Sequence, residues 1–424
     1  MHSYGENQLA SLPPHSLLVS HTDLDWNPTR YLQECHKIRA DDVTHLSFQL
    51  MAYPWFATQQ ANLYPKVRFP NTAFPGVSTN RMEEGNAVLV RNFLVANGAE
   101  KLGIPPLPTT ERHDHEGDNS SGSGRKAMFN GVEPSKGNPY PGGLYLDMQS
   151  INEVELEPGG RWRGLTLIPW GTLYRVLGPL SIRDTEPLHR ESLERFKEMQ
   201  NSLPEPTDAF FEQYPPGTWE FAVMSVYHDA QNQLGLNLLT HAIELQKNAD
   251  LMLLPLLLDR LHTSAKLLFN CHSSVSKHGA LSSGPGDLHK NTAMAWMRLQ
   301  GLVGVAFQFR DSILKLMETS PEIGDNLFDR DVVNTLVNKL AYSALLRHAK
   351  IVIKGFIDEH PDDRDVKAFE AALQQIEVAE RGDPTKPKPP PQAAASQQQQ
   401  KQQAKPAGTI EKKRGRKREG KTGK

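Results

Sequence analysis

The segment AMAWMRLQGLVGVAFQFRDSILKL, residues 293–316, decides the fold of the second half of this 424-residue chain. Its apolar residues recur at alternating spacings of four and three, which is typical of one face of an α-helix. They are Ala295, Leu299, Leu302, Ala306, Phe309, Ile313 and Leu316. A second apolar face of the same segment carries Trp296, Val303, Phe307 and Leu314. Because an α-helix that is apolar on two faces must be covered on both, we expect this helix to be central.

Helical periodicity extends on both sides of this segment. One apolar stripe runs over residues 234–249, and another over 254–269 after the break that Pro255 imposes. Start and stop signals predict further helices at 187–200, 329–360 and 366–376, and we expect a Ser/Gly/His-rich loop at 270–290. No repeat of fixed period is visible in the sequence. The fold is therefore predicted to be mainly α, with a helical bundle over residues 187–380 inside a body of residues 27–380.

The beginning of the chain shows weaker signals. Residues 1–26 are polar and are predicted to be a flexible N-terminus. An Asn-Pro pair is a common helix start, so we expect a helix over residues 28–38. The spacing of Val43, Leu46 and Leu50 predicts a second helix that ends before Pro54.

The remainder of the first half is predicted to be irregular. Prolines and aromatic residues alternate over residues 53–80, which indicates packed structure without long helices, and a short helix is expected at 87–97. Residues 105–143 are polar and Gly/Ser/Asn-rich, so we interpret them as a loop or insertion. Alternating residues around a Pro-Gly-Gly turn predict a small β-hairpin at 153–168.

The C-terminal tail, residues 381–424, differs from the rest of the chain in charge. It holds 13 basic and three acidic residues, a net charge of +10, whereas the remainder holds 34 basic and 46 acidic residues, a net charge of −12. Prolines at 387–391 and glutamines at 397–403 predict a disordered, semi-extended spacer before the basic end. An acidic body joined to a basic arm indicates a polyanion as the partner of the arm.

The basic end of the tail admits three interpretations. Arg and Lys on a flexible chain neutralise phosphates, and the residues expected to do so are Lys412, Lys413, Arg414, Arg416, Lys417 and Arg418. Arg414-Gly415-Arg416 resembles the centre of an AT-hook, in which Arg-Gly-Arg lies along the narrow minor groove of A·T-rich DNA. The same run is typical of a nuclear-localisation signal, which is compatible with nucleic-acid binding. The remaining alternative is a solubilising tail without a partner.

Catalytic and metal-binding patterns are weak. His113-Asp-His-Glu-Gly-Asp118 is the densest group of possible ligands, but it lies in a polar loop without the spacing of a preformed zinc site. The spacings among Cys271, His272, His278 and His289 match no standard metal site either, so no metal or cofactor is predicted. No nucleophile elbow or phosphate-binding loop is present. Arg161-Trp162-Arg163 could stack a base, but a hairpin core explains it better.

The two cysteines, Cys35 and Cys271, exclude a disulfide framework, and the first residues show neither a basic nor an apolar signal region. The longest apolar run, 251–258, is far shorter than the ~20 residues of a membrane helix. We therefore expect a soluble intracellular protein, located in the nucleus, the cytoplasm or a virion.

Together these features predict a non-enzymatic, self-associating protein that binds or packages nucleic acid through its basic arm, as a coat or nucleocapsid protein does. We expect a homo-oligomer, no base specificity, no membrane and no small-molecule substrate. Two alternatives remain open. One is a nuclear scaffold or interaction protein whose tail is an import signal or a DNA tether. The other is an enzyme whose site is assembled from residues far apart in the sequence.

Overall fold

A computed structural model describes residues 1–70, 90–98, 140–148, 165–180, 182–203, 205–247, 253–279, 285–308, 310–319, 330–336 and 339–380. The chain divides into two compact units, Met1–Leu373 and Gln374–Lys424. Of the second unit the structure describes residues 374–380, which continue a helix. The first unit is mainly α-helical with a small sheet, so the predicted fold class is confirmed.

Helices make up most of the described residues. They are α1 (His2–Ser11), α2 (Asp23–Cys35), α3 (Phe48–Met51), α4 (residues 90–98), α5 (Ile182–Ser202), α6 (Asp208–Gln213), α7 (Trp219–Lys247), α8 (Leu254–His278), α9 (Pro285–Gln308), α10 (Arg310–Thr319), α11 (Arg330–Leu336), α12 (Lys339–Glu359) and α13 (Val366–Glu380). A π-helical turn at Phe56–Gln60 and a 3-10 turn at Ala61–Leu63 follow α3.

Five strands form one mixed sheet in the order β2-β1-β3-β5-β4. They are β1 (Ser16–Ser20), β2 (Val43–Ser47), β3 (Gly143–Asp147), β4 (Thr166–Trp170) and β5 (Leu173–Leu177). β1 is parallel to both β2 and β3, whereas β5 is antiparallel to β3 and to β4. β4 and β5 are joined by a two-residue turn, in which Gly171 adopts the positive φ of 62° that a tight hairpin requires.

Apolar residues cover both faces of the sheet. On one face Leu18 and Tyr145 pack with Leu9 of α1 and Leu32 of α2. The alternate residues of the same strands join a larger core on the other face, which continues through α5 into α7. A sheet buried on both faces is typical of proteins with parallel strands.

The second half forms the helical bundle that the sequence predicts. α7 packs on α8, α8 on α9, and α9 on α12. The contact between α7 and α8 is close at Gly235, where an added Cβ would lie 2.8 Å from Leu268. Ala295, Leu299 and Val303 of α9 are completely buried, which agrees with the central position expected for this helix.

The predictions for the first 50 residues were partly wrong. Residues 1–26 are not a flexible end, because they form α1, the central strand β1 and the start of α2. The helix expected at 28–38 exists, but it begins at Asp23 and holds Pro28 inside it. The stretch with Val43 and Leu46 is the strand β2, because β1 supplies a hydrogen-bonding partner that local spacing cannot reveal.

Later segments also differ from expectation. Most of the predicted hairpin at 153–168 lies outside the described residues, which resume at 165. The observed hairpin consists of β4 and β5 and begins at Thr166. Of the loop predicted at 105–143, residues 105–139 are outside the described part, and Gly143 begins β3. The prediction of a loop at 270–290 was wrong, since α8 extends to His278 and α9 begins at Pro285. Residues 387–403 and the basic end of the tail lie outside the described residues.

Candidate functional site at the carboxyl edge of the parallel strands

Three parallel strands end side by side at one edge of the sheet. Ser20 closes β1, Ser47 closes β2, and Asp147 closes β3. The chain passes from β1 through α2 to β2 on one side, while β3 lies on the other side of β1. In open α/β sheets, ligands bind outside the carboxyl ends of strands where the order changes direction in this way. The edge between β1 and β3 is therefore the expected position of a ligand-binding site.

The turn from β1 into α2 brings a histidine to this edge. The backbone N–H of His21 donates to Oδ2 of Asp147, so the turn is fastened to the end of β3. Asp147 is completely buried, whereas His21 is half-buried. Thr22 is the N-cap of α2, and its hydroxyl donates to Oδ2 of Asp25 at 2.8 Å. The backbone hydrogen bond thus holds a half-buried histidine beside a buried carboxylate.

Asp25 is the centre of a buried hydrogen-bond network. Its Oδ1 accepts from the hydroxyl of Tyr4 at 2.5 Å and from Nε2 of Gln8 at 2.6 Å. Gln8 Oε1 in turn accepts from the hydroxyl of Thr29 at 2.8 Å. α1 supplies Tyr4 and Gln8 one helical turn apart, which places them on the same face toward α2. The network holds the first turn of α2 and the edge of the sheet in a fixed arrangement.

Burial controls the ionisation of this network. Desolvation raises the pKa of Asp25, and the hydrogen bonds from Tyr4, Thr22 and Gln8 and the nearby charge of His21 offset part of that rise. Desolvation also raises the pKa of Tyr4 well above its usual value, and the charge of Asp25 is the second cause of this rise. Burial and the hydrogen bonds therefore act on the pKa of Asp25 in opposite directions, and His21 is the ionisable neighbour that lowers it.

A second histidine lies behind the edge. Nε2 of His45, on β2, is 2.8 Å from the hydroxyl of Ser20, and the ring packs on Trp26 at 4.5 Å between centroids. Desolvation lowers the pKa of His45 to about 3, with the charge of Arg30 as a second cause, so the ring is neutral. Its Nδ1 is buried and has no hydrogen-bond partner within the described part of the chain. The Ser20–His45 pair is fully buried, so we interpret it as a support for the edge.

Most of the groups singled out in the sequence lie elsewhere. The expected phosphate-binding residues Lys412, Lys413, Arg414, Arg416, Lys417 and Arg418 are outside the described residues, as are His113 to Asp118 and Arg161-Trp162-Arg163. Among the loop cysteine and histidines, the structure brings His272 and His289 together, with ring centroids 4.2 Å apart. Cys271 is buried and donates to the carbonyl of His228, and His278 faces Asp208.

His21, Asp25 and Asp147 were not predicted as site residues from the sequence. A signal for them exists, because a short apolar run, Leu17-Leu18-Val19, ends in Ser-His-Thr-Asp, which is the pattern of a buried strand followed by a helix N-cap. The signal was hidden by the interpretation of residues 1–26 as flexible. Asp147 offers no comparable signal, since only the sheet places it beside His21.

Part of the chain is similar to a known protein. A segment of 73 residues, 17% of this chain, is 36% identical to the protein O-mannosyl-transferase tmem260 of Dictyostelium discoideum. The chain spans about a tenth of the length of that relative, the matched segment being 9% of it. No protein-family model matches the chain, and no solved structure does. Among the described helices, none combines the length and apolar character needed to cross a bilayer.

Proposed function

We propose that the chain binds a hydroxylated ligand of the sugar class at the carboxyl edge of β1 and β3, and that His21 transfers a proton there. The observation that carries the proposal is the half-buried His21, whose backbone N–H is bonded to the buried Asp147 and whose charge acts on the buried Asp25. Imidazole is the group most often used for proton transfer near neutral pH, and an adjacent carboxylate stabilises its charged form.

The chemistry of the edge favours hydroxyl groups over phosphates. The network of Tyr4, Gln8, Thr22, Asp25 and Thr29 contains a carboxylate and hydrogen-bonding neutral groups, and Asp147 adds a second carboxylate. An anion at the N-terminus of α2 would meet these carboxylates, which already take the favourable position at the helix dipole. The partial similarity to a protein O-mannosyl-transferase supports a sugar as the ligand and group transfer to a hydroxyl as the reaction class.

In such a reaction the attacking hydroxyl oxygen would form a bond to the sugar carbon while the bond from that carbon to the donor group breaks, and the donor group would leave with the bonding electrons. His21 would accept the proton of the attacking hydroxyl, and the nearby charge of Asp25 would stabilise the imidazolium that forms. His21 is the group with solvent access, so it would contact the substrate, whereas the buried Asp25 would orient and polarise it. Removal of a general base of this kind typically costs 10²–10⁴-fold in rate.

Ligand binding by the full-length chain tests the proposal. Methyl α-mannoside is the probe, observed by saturation-transfer NMR, with His21→Asn as the test variant. His15→Asn is the matched control, because His15 precedes the opposite end of β1, is exposed, and has a positive φ of 60° that Asn tolerates. We expect binding to weaken at least tenfold in His21→Asn and to be unchanged in His15→Asn. Equal binding by both variants contradicts the proposal. The absence of saturation transfer from the wild-type protein to methyl α-mannoside contradicts it as well.

A second candidate function rests on the tail. Its net charge of +10, against −12 for the remainder, favours sequence-independent nucleic-acid binding by a flexible arm of a self-associating protein. Each phosphate that is contacted should contribute a slope of about −0.7 to −0.9 in the log–log dependence of affinity on salt.

Truncation at Pro390 tests this second function. The truncated chain should keep its unfolding midpoint and lose affinity for a short labelled RNA at low salt, while light scattering follows the particle mass. Deletion of Gln397–Gln400, which removes no charge, is the control and should retain binding. Full affinity after truncation contradicts the nucleic-acid arm. A monomeric wild type that does not bind RNA would favour the interpretation of the tail as an import signal. Deletion of residues 412–418 would then move a tagged copy to the cytoplasm.

A further inference from the structure

Three helices bring a group of histidines and a carboxylate together at one end of the bundle. His272 lies near the end of α8, His289 near the start of α9, and Glu359 and His360 at the end of α12. His289, Glu359 and His360 each offer a ligand atom within 4.8 Å of the other two. The ring of His272 stacks on that of His289 at 4.2 Å between centroids, so it forms the next layer of the same cluster.

The hydrogen bonds of His289 fix which of its nitrogens faces the carboxylate. Nδ1 lies 2.9 Å from Oε2 of Glu359. The ring also hydrogen-bonds the backbone of Val352, and its Nε2 lies against the backbone of α12, 3.7 Å from the position of a Cβ at Gly355. Nδ1 is therefore the ring nitrogen on the side of the Glu359 carboxylate, where a bound cation would meet it.

The contact between His289 and Glu359 brings two kinds of metal ligand together. A neutral imidazole nitrogen and a carboxylate oxygen both ligate divalent ions, and here they lie on the same side of the His289 ring. An ion bound at this position would contact both atoms, and His360 offers a third ligand atom within the same distance limit.

The lysine beside the cluster is paired with other carboxylates. Lys290 lies 3.0 Å from Asp363 and 2.7 Å from Asp365. Glu359 has a side chain that is 64% exposed, whereas that of His289 is 5% exposed. An ion could thus enter from the solvent side, past Glu359, and meet a fixed imidazole inside.

We propose that His289, Glu359 and His360 bind a divalent transition-metal ion, zinc in the first place, with the ring of His272 stacked on that of His289 beside the site. Two imidazoles and a carboxylate form a ligand set that suits zinc and its neighbours better than calcium or magnesium, which prefer oxygen ligands alone. The hydrogen bond from the His289 ring to the Val352 backbone is the outer contact that metal-bound histidines usually make. The bound ion joins α9 to α12, and His272 extends the link to α8.

Cobalt serves as the spectroscopic probe for this site, since it occupies zinc sites and absorbs in the visible range. The full-length chain, stripped with a chelator, is titrated with Co²⁺ and then with Zn²⁺, and thermal unfolding is followed in parallel. The test variant is Glu359→Gln combined with His360→Asn, two changes at solvent-accessible positions that leave the buried His289 in place. The matched control is His278→Asn, which removes a histidine that faces a carboxylate, Asp208 at 3.0 Å, outside this cluster.

Wild type and His278→Asn should each bind Co²⁺ with visible absorption bands, release it to Zn²⁺, and unfold at a higher temperature with the metal. The double variant should bind one equivalent less and lose at least tenfold in affinity, consistent with the loss of two ligands. An equal stoichiometry and affinity in the double variant would place any bound metal elsewhere, for instance at His113–Asp118, and overturn the proposal. So would a wild-type chain that binds neither ion.

Discussion

Arg260 of α8 donates a hydrogen bond to Glu186 of α5, and both side chains are buried, with exposed fractions of 2% and 9%. Arg260 also donates to its neighbour Asp259 at 2.8 Å. Desolvation raises the pKa of Glu186, and the charge and hydrogen bond of Arg260 counteract that rise. The arginine thus compensates two buried carboxylates at the junction between the sheet-covering helix α5 and the bundle.

Replacement of Arg260 by Met should destabilise the protein by about 3–5 kcal/mol, because it leaves buried carboxylates without their cation. Urea unfolding monitored by circular dichroism measures this change. The control is Lys247→Met at the exposed pair of Lys247 and Glu244, where we expect less than about 1 kcal/mol. A loss at Arg260 no larger than that of the control would contradict the role given to the buried pair.

Gly5 lies at a close contact between α1 and α2. A Cβ added at Gly5 would lie 3.0 Å from Cδ1 of Leu32 and 3.1 Å from the backbone carbon of Pro28. Because the backbone of Pro28 cannot yield as a side chain can, Gly5→Ala should destabilise the protein by about 1–3 kcal/mol.

Gly301 provides the opposite case within a helix. A Cβ at this position of α9 would meet no atom within 4 Å in the described structure. Gly301→Ala should therefore stabilise the protein by about 0.5–1 kcal/mol, since alanine loses less backbone entropy. Thermal unfolding of the two variants side by side measures both signs, and stabilisation by Gly5→Ala would show that α1 does not pack on α2 as described.

The bundle could be predicted from the sequence because each long helix buries a continuous stripe. The stripe at 366–376 marks α13, and that at 254–269 marks most of α8. Helix ends were less visible. The Ser- and His-rich end of α8 was interpreted as a loop, because its side chains are polar while only its buried positions, such as Cys271 and Val275, face the core.

The sheet could not be predicted in the same way. β1 is a run of only five residues buried on both faces, and periodicity does not distinguish such a run from part of a loop or helix. In β2, the spacing of Val43 and Leu46 also fits a helix, and the strand β1 decides between the two conformations. Parallel pairing with β3 joins residues more than a hundred positions apart, for which the sequence offers no local signal.

The candidate sites follow the same division. His272 and His289 attracted notice as possible ligands, but Glu359 and His360 lie 70 residues further along, and the packing of α12 on α9 brings them together. Similarly, His21 and Asp147 meet through a backbone hydrogen bond across two strands. Spacing along the chain detects a site on one element, whereas both of these sites are assembled from several.

His45 should make the stability of the protein depend on pH. Its folded-state pKa is lowered from 6.5 to about 3, first by desolvation and then by the charge of Arg30. Above pH 6.5 the ring is neutral in both the folded and the unfolded chain, so its contribution to stability is fully present. As the pH falls from 6.5 toward about 3, His45 binds a proton in the unfolded chain but not in the folded chain, and stability is lost.

The free energy of unfolding should consequently decrease by about 1.4 kcal/mol per pH unit through this histidine alone. His189 and His272 act in the same direction, with pKa values lowered by burial to about 3 and about 4. His45→Gln isolates the contribution of one ring, because the other titrating groups are common to both proteins. Urea unfolding between pH 6.5 and 4.5 should give a shallower pH dependence for His45→Gln than for wild type. Identical slopes for His45→Gln and wild type would mean that His45 is solvated or protonated in the folded protein, and the support that it provides to Ser20 at the sheet edge would have to be discarded.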